Sequence, residues 1–218
     1  MKLEFLTTGD KSPTLFNRAL NETYHSRHGA RQESEHVYVI SGLDELLHLD
    51  TIRVFEMGFG TGLNILLAHQ FSELHQKKLD VTSIELYPLD KEIWSQLDFS
   101  KSAVEKEVFT KLHQFPWEKR SVLGTYFSLE KRNMGLEDIR YQSEFDIIFF
   151  DAFGPDKQPH LWTPDVFQLL FDSLDTNGIL VTYSAKGQVR RDLQSIGFEV
   201  ERIQGPPGKR EMLRARKK

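Results

Sequence analysis

The order of its elements predicts an α/β fold for this chain: a mostly parallel sheet with helices on both faces and an antiparallel strand at the C-terminal end. Three observations carry that expectation. Apolar runs of strand type alternate with segments of helical spacing at crossover distance. The first of these strands ends in a glycine turn, EMGFGTG, that leads directly into a helix. The last two strands are joined by GPPGK, too short for a helical crossover, so they must pair antiparallel. Residues 1–50 differ from the rest, with short strands, polar turns and the stretch NETYHSRHGARQESEHVYV. They are expected to form an N-terminal extension packed over the ligand end of a main domain spanning 51–218.

IRVFEMG (52–58) reads as a buried strand closed by the glycine turn, and GLNILLAHQFSELH (62–75) as the helix that follows. DVTSIELYP (80–88) is a second strand, stopped by Pro88. LDKEIWSQL (89–97) and KSAVEKEVFTKLHQF (101–115) have helical spacing. EFDIIFFDAF (144–153) is short and apolar on both faces, as a strand buried in a parallel sheet should be. TPDVFQLLFDSL (163–174) is a helix with Thr163 as N-cap and Pro164 in its first turn. GILVTYSA, KGQVRRDLQSIG, FEVERIQG and REMLRARK complete the chain as strand, helix, strand and strand.

Composition narrows the function classes. The 218 residues suit one domain with a small appendage, and there are no cysteines. That excludes disulfides, thiolate zinc sites and cysteine nucleophiles. The start lacks the apolar core of a signal peptide, and no apolar run approaches the ~20 residues of a membrane span. A cytoplasmic protein with no membrane contact is expected. Net charge is −4, so a nucleic-acid partner would have to use a local basic patch. Arg190–Arg191 and the ending GKREMLRARKK supply one. His25, His28 and His36 lie close in sequence, but no spacing sets them on one face, and no metal site is expected.

Two features point to a ligand. Gly58, Gly60 and Gly62 let a ligand approach the backbone where a helix N-terminus offers free N–H groups. The dinucleotide pattern G-x-G-x-x-G fails at Leu63. Glu56 precedes the turn, and Glu85 sits at the tip of the second strand, where an acid can grip two ribose hydroxyls. A nucleoside-type ligand follows, with a nicotinamide cofactor as the rival. The second feature is FFDAFGPDKQPHLW (149–162), an apolar strand that ends in a carboxylate and a stiff, aromatic loop. Its strand is expected beside the first, which would put Asp151 at the reactive end of the ligand, able to orient an amine and accept its proton. Pro155 and Pro159 stiffen the loop, and Phe153 and Trp162 offer flat faces for a stacked base.

Taken together, FEMGFGTGLN, FFDAFGPDKQPHLWTPDVF and GILVTYSAKGQVRRDLQSIGFEVERIQGPPGKREML resemble the MnmC-type methyltransferases, which act on 5-aminomethyl-2-thiouridine at the tRNA wobble position. The likeness runs from about Tyr24 to Leu213, in the manner of the family's stand-alone, MnmD-type form. It implies a Rossmann-like class I fold and S-adenosylmethionine held by Glu56, Gly58, Gly60, Thr61, Asn64 and Glu85, with Gly62 in the same turn. It implies that Asp151 lines the aminomethyl pocket, with Pro155 and Trp162 shaping the loop. QESEHVYV matches a segment that closes over the site through Glu33 and Tyr38. Family members often carry Gly-Asp where adenine is held; here Asn133 and Met134 stand near that position, and Asn133 is the expected contact. Arg190, Lys209 and Arg210 are expected to meet tRNA, and an FAD-dependent oxidoreductase activity is expected on a separate protein. An aminopropyl or other small-amine transferase on the same fold, opposed by the basic C-terminus, and a non-catalytic nucleoside-binding module are the alternatives.

Overall fold

A computed structural model describes residues 2–218. Its centre is an eight-stranded sheet. The parallel strands are β4 (Thr51–Met57), β5 (Lys78–Ile84), β7 (Phe127–Arg132), β8 (Phe145–Phe150) and β9 (Leu174–Thr182), which lie in the order β9-β8-β4-β5-β7. Strand order reverses between β4 and β8, so a ligand crevice is expected outside their carboxyl ends. Antiparallel strands close both edges. β11 (Glu211–Arg216) pairs with β9 and with β10 (Glu199–Gln204), as the short GPPGK link demands. β6 (Arg120–Leu123) pairs with β7 on the other side.

Helices cover both faces. α2 (Leu63–His75) and α4 (Ala103–Gln114) pack on one, against Ile52, Val54, Val81, Ile147 and Phe149. α5 (Pro164–Ser173) and α6 (Gly187–Ile196) pack on the other, against Phe55, Ile148, Phe150 and Leu180. β8 therefore feeds both cores, with alternate residues pointing to opposite sides. Phe145 breaks the alternation because the ladder to β9 shifts register between Phe145 and Ile147. The N-cap of α5 forms as its sequence predicts, with Thr163 Oγ1 accepting from the Val166 amide.

The first fifty residues make a three-stranded antiparallel sheet of β1 (Leu3–Thr7), β2 (Pro13–Asn17) and β3 (Glu22–Thr23), then α1 (Ala30–Ser34), which widens into a π-helical turn over Glu35–Ile40. Some elements depart from expectation. The second strand stops at Ile84, because Glu85 turns to bond the glycine loop. The segment expected as a helix over 89–97 keeps only α3 (Lys91–Trp94). The β6–β7 hairpin was not foreseen, since β7 (FSLEKR) buries Lys131 and so hides its inward face from a hydrophobic pattern.

Candidate active site

A cavity of about 750 Å³ opens at the carboxyl ends of the parallel strands. Its walls come from the loops after β4, β5, β7 and β8, from the N-terminal segment around Tyr24–His28, and from Lys209 in the β10–β11 turn. Gly58, Gly60, Thr61, Asn64, Glu85, Asp151, Phe153, Glu33 and Lys209 all line it. Residues far apart in sequence thus meet at the topological switch point.

The glycine turn is held from two sides. Gly58 has φ of 94°, a conformation a side chain would strain, and a Cβ there would lie 3.5 Å from the Asp151 carbonyl. Gly62 does not face the cavity. Its φ is 75°, and a Cβ would come within 2.8 Å of His113 Nε2. It is there for the turn and for His113, whose ring N–H donates to the Thr61 carbonyl at 3.0 Å. Burial keeps that ring neutral, with a pKa down to about 3. On the cavity side, Glu85 Oε2 accepts from the Gly60 amide at 3.0 Å and Oε1 from the Tyr87 amide at 2.9 Å. The carboxylate is fixed by backbone N–H groups and still turns lone pairs toward the cavity. Asn133, in contrast, is exposed and outside the cavity lining. Its Nδ2 donates to the carbonyls of Glu85 and Leu86 at 2.7 and 3.2 Å, so it braces the Glu85 loop. The wall beyond Glu85 is made by Leu86, Met134 and Leu136, an apolar slot suited to a flat base.

Asp151 stands at the carboxyl end of β8, beside β4, and its Oδ2 accepts from Asn64 Nδ2 at 2.8 Å. Burial raises its pKa to about 6 and Glu33 adds to the rise, while the neighbouring Tyr38 and Asn64 side chains and the charge of Lys209 oppose it. Tyr38 is fully buried beside this carboxylate and outside the cavity lining; burial, then Asp151, push its pKa far up, so it remains a donor. The π-helical turn carries Tyr38, and such a widened turn re-aims a side chain. Glu56 is buried completely behind the glycine turn and does not line the cavity. Its Oε2 accepts from Ser83 Oγ.

The loop after β8 owes its stiffness to three anchors. Trp162 Nε1 donates to the Phe153 carbonyl at 2.8 Å, the Phe153 amide donates to Gln158 Oε1 at 3.1 Å, and Tyr183 Oη donates to the Ala152 carbonyl at 2.8 Å. Trp162 is therefore not a stacking platform. It is 6% exposed and packs edge-on against Phe150, Phe167 and Tyr183 behind the loop. Phe153 does face the cavity, with Tyr24 set edge-on to it at 5.0 Å. Pro155 lines a shallower groove of about 400 Å³ that shares Glu22, Gly154, Tyr183 and Lys209 with the cavity.

The N-terminal segment is clamped onto the site. Lys209 Nζ pairs with Glu33 Oε1 at 2.9 Å and lies 4.0 Å from the centre of the Tyr183 ring. Glu33 Oε2 also accepts from the Ser26 amide at 2.6 Å. His25 is buried and lines the cavity, between Thr14 Oγ1 at 3.0 Å and Thr61 Oγ1 at 3.1 Å. Burial lowers its pKa to about 4, so the clamp is a neutral imidazole. A lone histidine in a polar stretch gives no signal of that role.

The basic residues separate. Arg210 is 94% exposed on the rim of the shallow groove, beside Lys157 and Lys186. Arg190 lies on α6 and lines neither cavity, so the structure does not bring it to the site. Arg214 is held by Glu45 and Glu201 at 2.7 and 3.0 Å, and Lys217 donates to the carbonyls of Phe171 and Leu174. Much of the basic ending is thus spent on the protein's own acids and carbonyls. Among the described residues, no group of three or more His, Asp and Glu comes together as a metal cage, and no helix is long and apolar enough to cross a membrane.

Comparison with known proteins agrees with this geometry. Residues 107–218 match the family described as S-adenosyl-L-methionine-dependent methyltransferase. The chain is 31% identical over 219 residues to the tRNA 5-methylaminomethyl-2-thiouridine biosynthesis bifunctional protein MnmC of Azoarcus sp. (strain BH72), covering 93% of this chain and 34% of that one. It spans about a third of the length of the curated relatives it matches. The crystal structure of MnmC2 from Aquifex aeolicus superposes with a TM-score of 0.83 at 27% identity, over 98% of this chain and 70% of that one. Spermidine synthase from Thermotoga maritima, at 14% identity and a TM-score of 0.53, shares the fold alone. A nicotinamide cofactor is set aside by these matches, and the cofactor is S-adenosylmethionine. By its matched sequence and its strand order, the chain belongs to the S-adenosyl-L-methionine-dependent methyltransferase family.

Proposed function

We propose that this protein transfers the methyl group of S-adenosylmethionine to the primary amine of 5-aminomethyl(-2-thio)uridine at the wobble position of tRNA, in the cytoplasm. The observation that carries the reading is Asp151, a carboxylate held by Asn64 on the cavity wall next to the glycine turn. The relatives named for 5-methylaminomethyl-2-thiouridine biosynthesis and the Aquifex MnmC2 structure support the substrate.

The cavity fits both partners of such a reaction. Its glycine turn leaves room at the backbone, Glu85 offers fixed acceptors for ribose hydroxyls, and Leu86, Met134 and Leu136 make the apolar slot for adenine. Thr61 and Asn64 lie at the start of α2, near its free N–H groups, where a carboxylate is favoured. When bound, S-adenosylmethionine would supply an electrophilic methyl on a sulfonium, whose S–CH3 bond would break to leave a neutral thioether as the amine nitrogen takes the methyl. Asp151 accepts a hydrogen bond from the neutral amine, aims its lone pair, and takes the proton shed by the nitrogen as the new N–C bond forms. Asn64 holds the carboxylate, leaving acceptor directions for the amine. Positioning of this kind is worth about 7–11 kcal/mol where the geometry is favourable. Phe153 and Tyr24 form the aromatic side of the acceptor pocket, and Arg210, Lys157 and Lys186 edge the groove along which a polyanion would lie.

The test is mass spectrometry of nucleosides from tRNA that carries the unmethylated aminomethyl group, after incubation with the protein and S-adenosylmethionine. Gain of one methyl on that nucleoside supports the assignment. Methylation confined to free amines, with none on tRNA, would replace it with a small-amine transferase.

A further inference from the structure

Tyr24, His25 and Ser26 run past the glycine turn and touch both halves of the site. The Tyr24 ring packs edge-on against Phe153 at 5.0 Å, and a Cβ at Gly60 would lie 3.6 Å from Tyr24 Cδ1. The Ser26 amide donates to Glu33 Oε2 at 2.6 Å. Between them, His25 is buried with both ring nitrogens engaged, Nδ1 with Thr14 Oγ1 at 3.0 Å and Nε2 with Thr61 Oγ1 at 3.1 Å. Thr14 belongs to β2 of the N-terminal sheet and Thr61 to the glycine turn. Thr14 Oγ1 already accepts from the His25 main-chain N–H at 3.2 Å. A neutral imidazole has one donor and one acceptor, so the Thr14 hydroxyl donates its proton to Nδ1 and the ring keeps its own on Nε2. The opposite tautomer would make Thr14 Oγ1 accept twice from one residue and turn its proton away from the ring. The Thr61 carbonyl is held separately, by His113 Nε2 at 3.0 Å. Thr61 is thus fixed between two rings that burial keeps neutral, one from α4 and one from the N-terminal segment.

We propose that His25 is a positioning residue for the cofactor: as the Nε2–H tautomer it donates to Thr61 Oγ1, and so turns the Thr61 hydroxyl proton toward the cavity as a donor to the amino-acid carboxylate of S-adenosylmethionine. A hydroxyl that accepts from His25 still has its own proton to give. Thr61 lines the cavity two residues before the first residue of α2, and the start of that 13-residue helix favours a negative charge. Of the cofactor's polar groups, the ammonium offers no acceptor, and the carboxylate alone is anionic. Glu85 lies on the other side of Gly60, where its own charge suits hydroxyls and opposes a carboxylate. Because Tyr24 and Ser26 flank His25 in the chain, the same contact ties the wall of the acceptor pocket to the cofactor turn. This role needs the cofactor but no particular methyl acceptor, so it stands apart from the choice of tRNA substrate.

Calorimetry on the whole protein tests this without tRNA, with S-adenosylmethionine and its decarboxylated analogue as the two ligands. His25→Asn leaves a side chain that reaches Thr14 but stops short of Thr61, whereas the longer amide of His25→Gln can carry an N–H to the place of Nε2. His25→Asn and Thr61→Val should each weaken S-adenosylmethionine binding by about tenfold, and His25→Gln should stay within about threefold of wild type. The double variant His25→Asn/Thr61→Val should bind no more weakly than either single one, because both changes remove the same donor. With the decarboxylated analogue, the losses in His25→Asn and Thr61→Val should disappear. Nitrogen-15 NMR of the histidine rings should show the Nε2–H tautomer at His25. If His25→Asn fails to fold, Thr61→Val and the ring spectrum decide. An Nδ1–H tautomer overturns the proposal. So do additive losses in the double variant, or losses of equal size with the decarboxylated analogue, which would reduce His25 to packing.

Discussion

Glu85 and Gly60 are tied across the tips of neighbouring strands: the Gly60 amide donates to Glu85 Oε2 at 3.0 Å. One side chain therefore sets the glycine turn and presents acceptors to the cavity. Glu85→Ala should weaken S-adenosylmethionine binding by about one to two decades, the worth of a charge-assisted hydrogen bond at ~1.5–3 kcal/mol. Calorimetry measures this directly, and unchanged affinity would remove Glu85 from the cofactor site.

Trp162 behaves as core. Trp162→Ala should cost about 3–5 kcal/mol of stability through the cavity it leaves. Trp162→Phe keeps most of the packing but releases the Phe153 carbonyl, so it should lower kcat with a smaller loss of stability. Denaturant titration beside steady-state kinetics distinguishes the two. A large rise in KM for tRNA with stability intact would instead return Trp162 to the pocket wall.

The basic residues should divide by function. Arg210→Ala should weaken tRNA binding and reduce the slope of log affinity against log salt by about one, as for a single phosphate contact. Arg214→Ala should leave that slope unchanged, because its guanidinium is held by Glu45 and Glu201. Lys209→Ala frees Glu33 and should lower kcat more than it changes the salt slope. Filter binding across a salt series measures all three.

Much of the fold could be read in the sequence, and the reasons are physical. FDIIFF is apolar throughout because both faces of β8 are covered, and GPPGK cannot span a crossover. The β6–β7 hairpin escaped because Lys131 occupies an inward position, where its ammonium lies 4.9 Å from the rings of both Phe59 and Trp117. At the site, glycines and strand-end acids signalled themselves by their positions. Asn133 and Trp162 were read as contacts because their residue types suit a base, yet their hydrogen bonds run to the loops behind. His25 gave no sign, since its role depends on Thr14 and Thr61, which are remote in sequence.

Stability should fall with rising pH through the site acids. The folded pKa of Glu56 is raised from 4.5 to about 8, and that of Asp151 from 3.8 to about 6. For a raised pKa, the folded state binds more protons than the unfolded state, so the contribution is complete below the unfolded value and is lost as pH climbs through the folded one. Glu56→Gln removes its share of that loss. Its melting temperature should match wild type near pH 4, exceed it increasingly from pH 5 to about 8, and then hold a constant lead. Differential scanning calorimetry across that range checks it, and a variant less stable than wild type at pH 8 would contradict the sign.

The most direct measurement is the pH profile of kcat for wild type and Asp151→Asn on tRNA bearing the aminomethyl group. The wild type should rise as Asp151 ionises, around pH 6. Asp151→Asn keeps the shape of the side chain but cannot take a proton, so kcat should drop by about 10²–10⁴-fold while S-adenosylmethionine still binds. Because the neutral amine is the nucleophile, raising the pH should recover part of the variant's rate and help the wild type less. An Asp151→Asn enzyme that turns over at the wild-type rate from pH 6 to about 9 would show that this carboxylate only ends a strand, and the account of the site would fail with it.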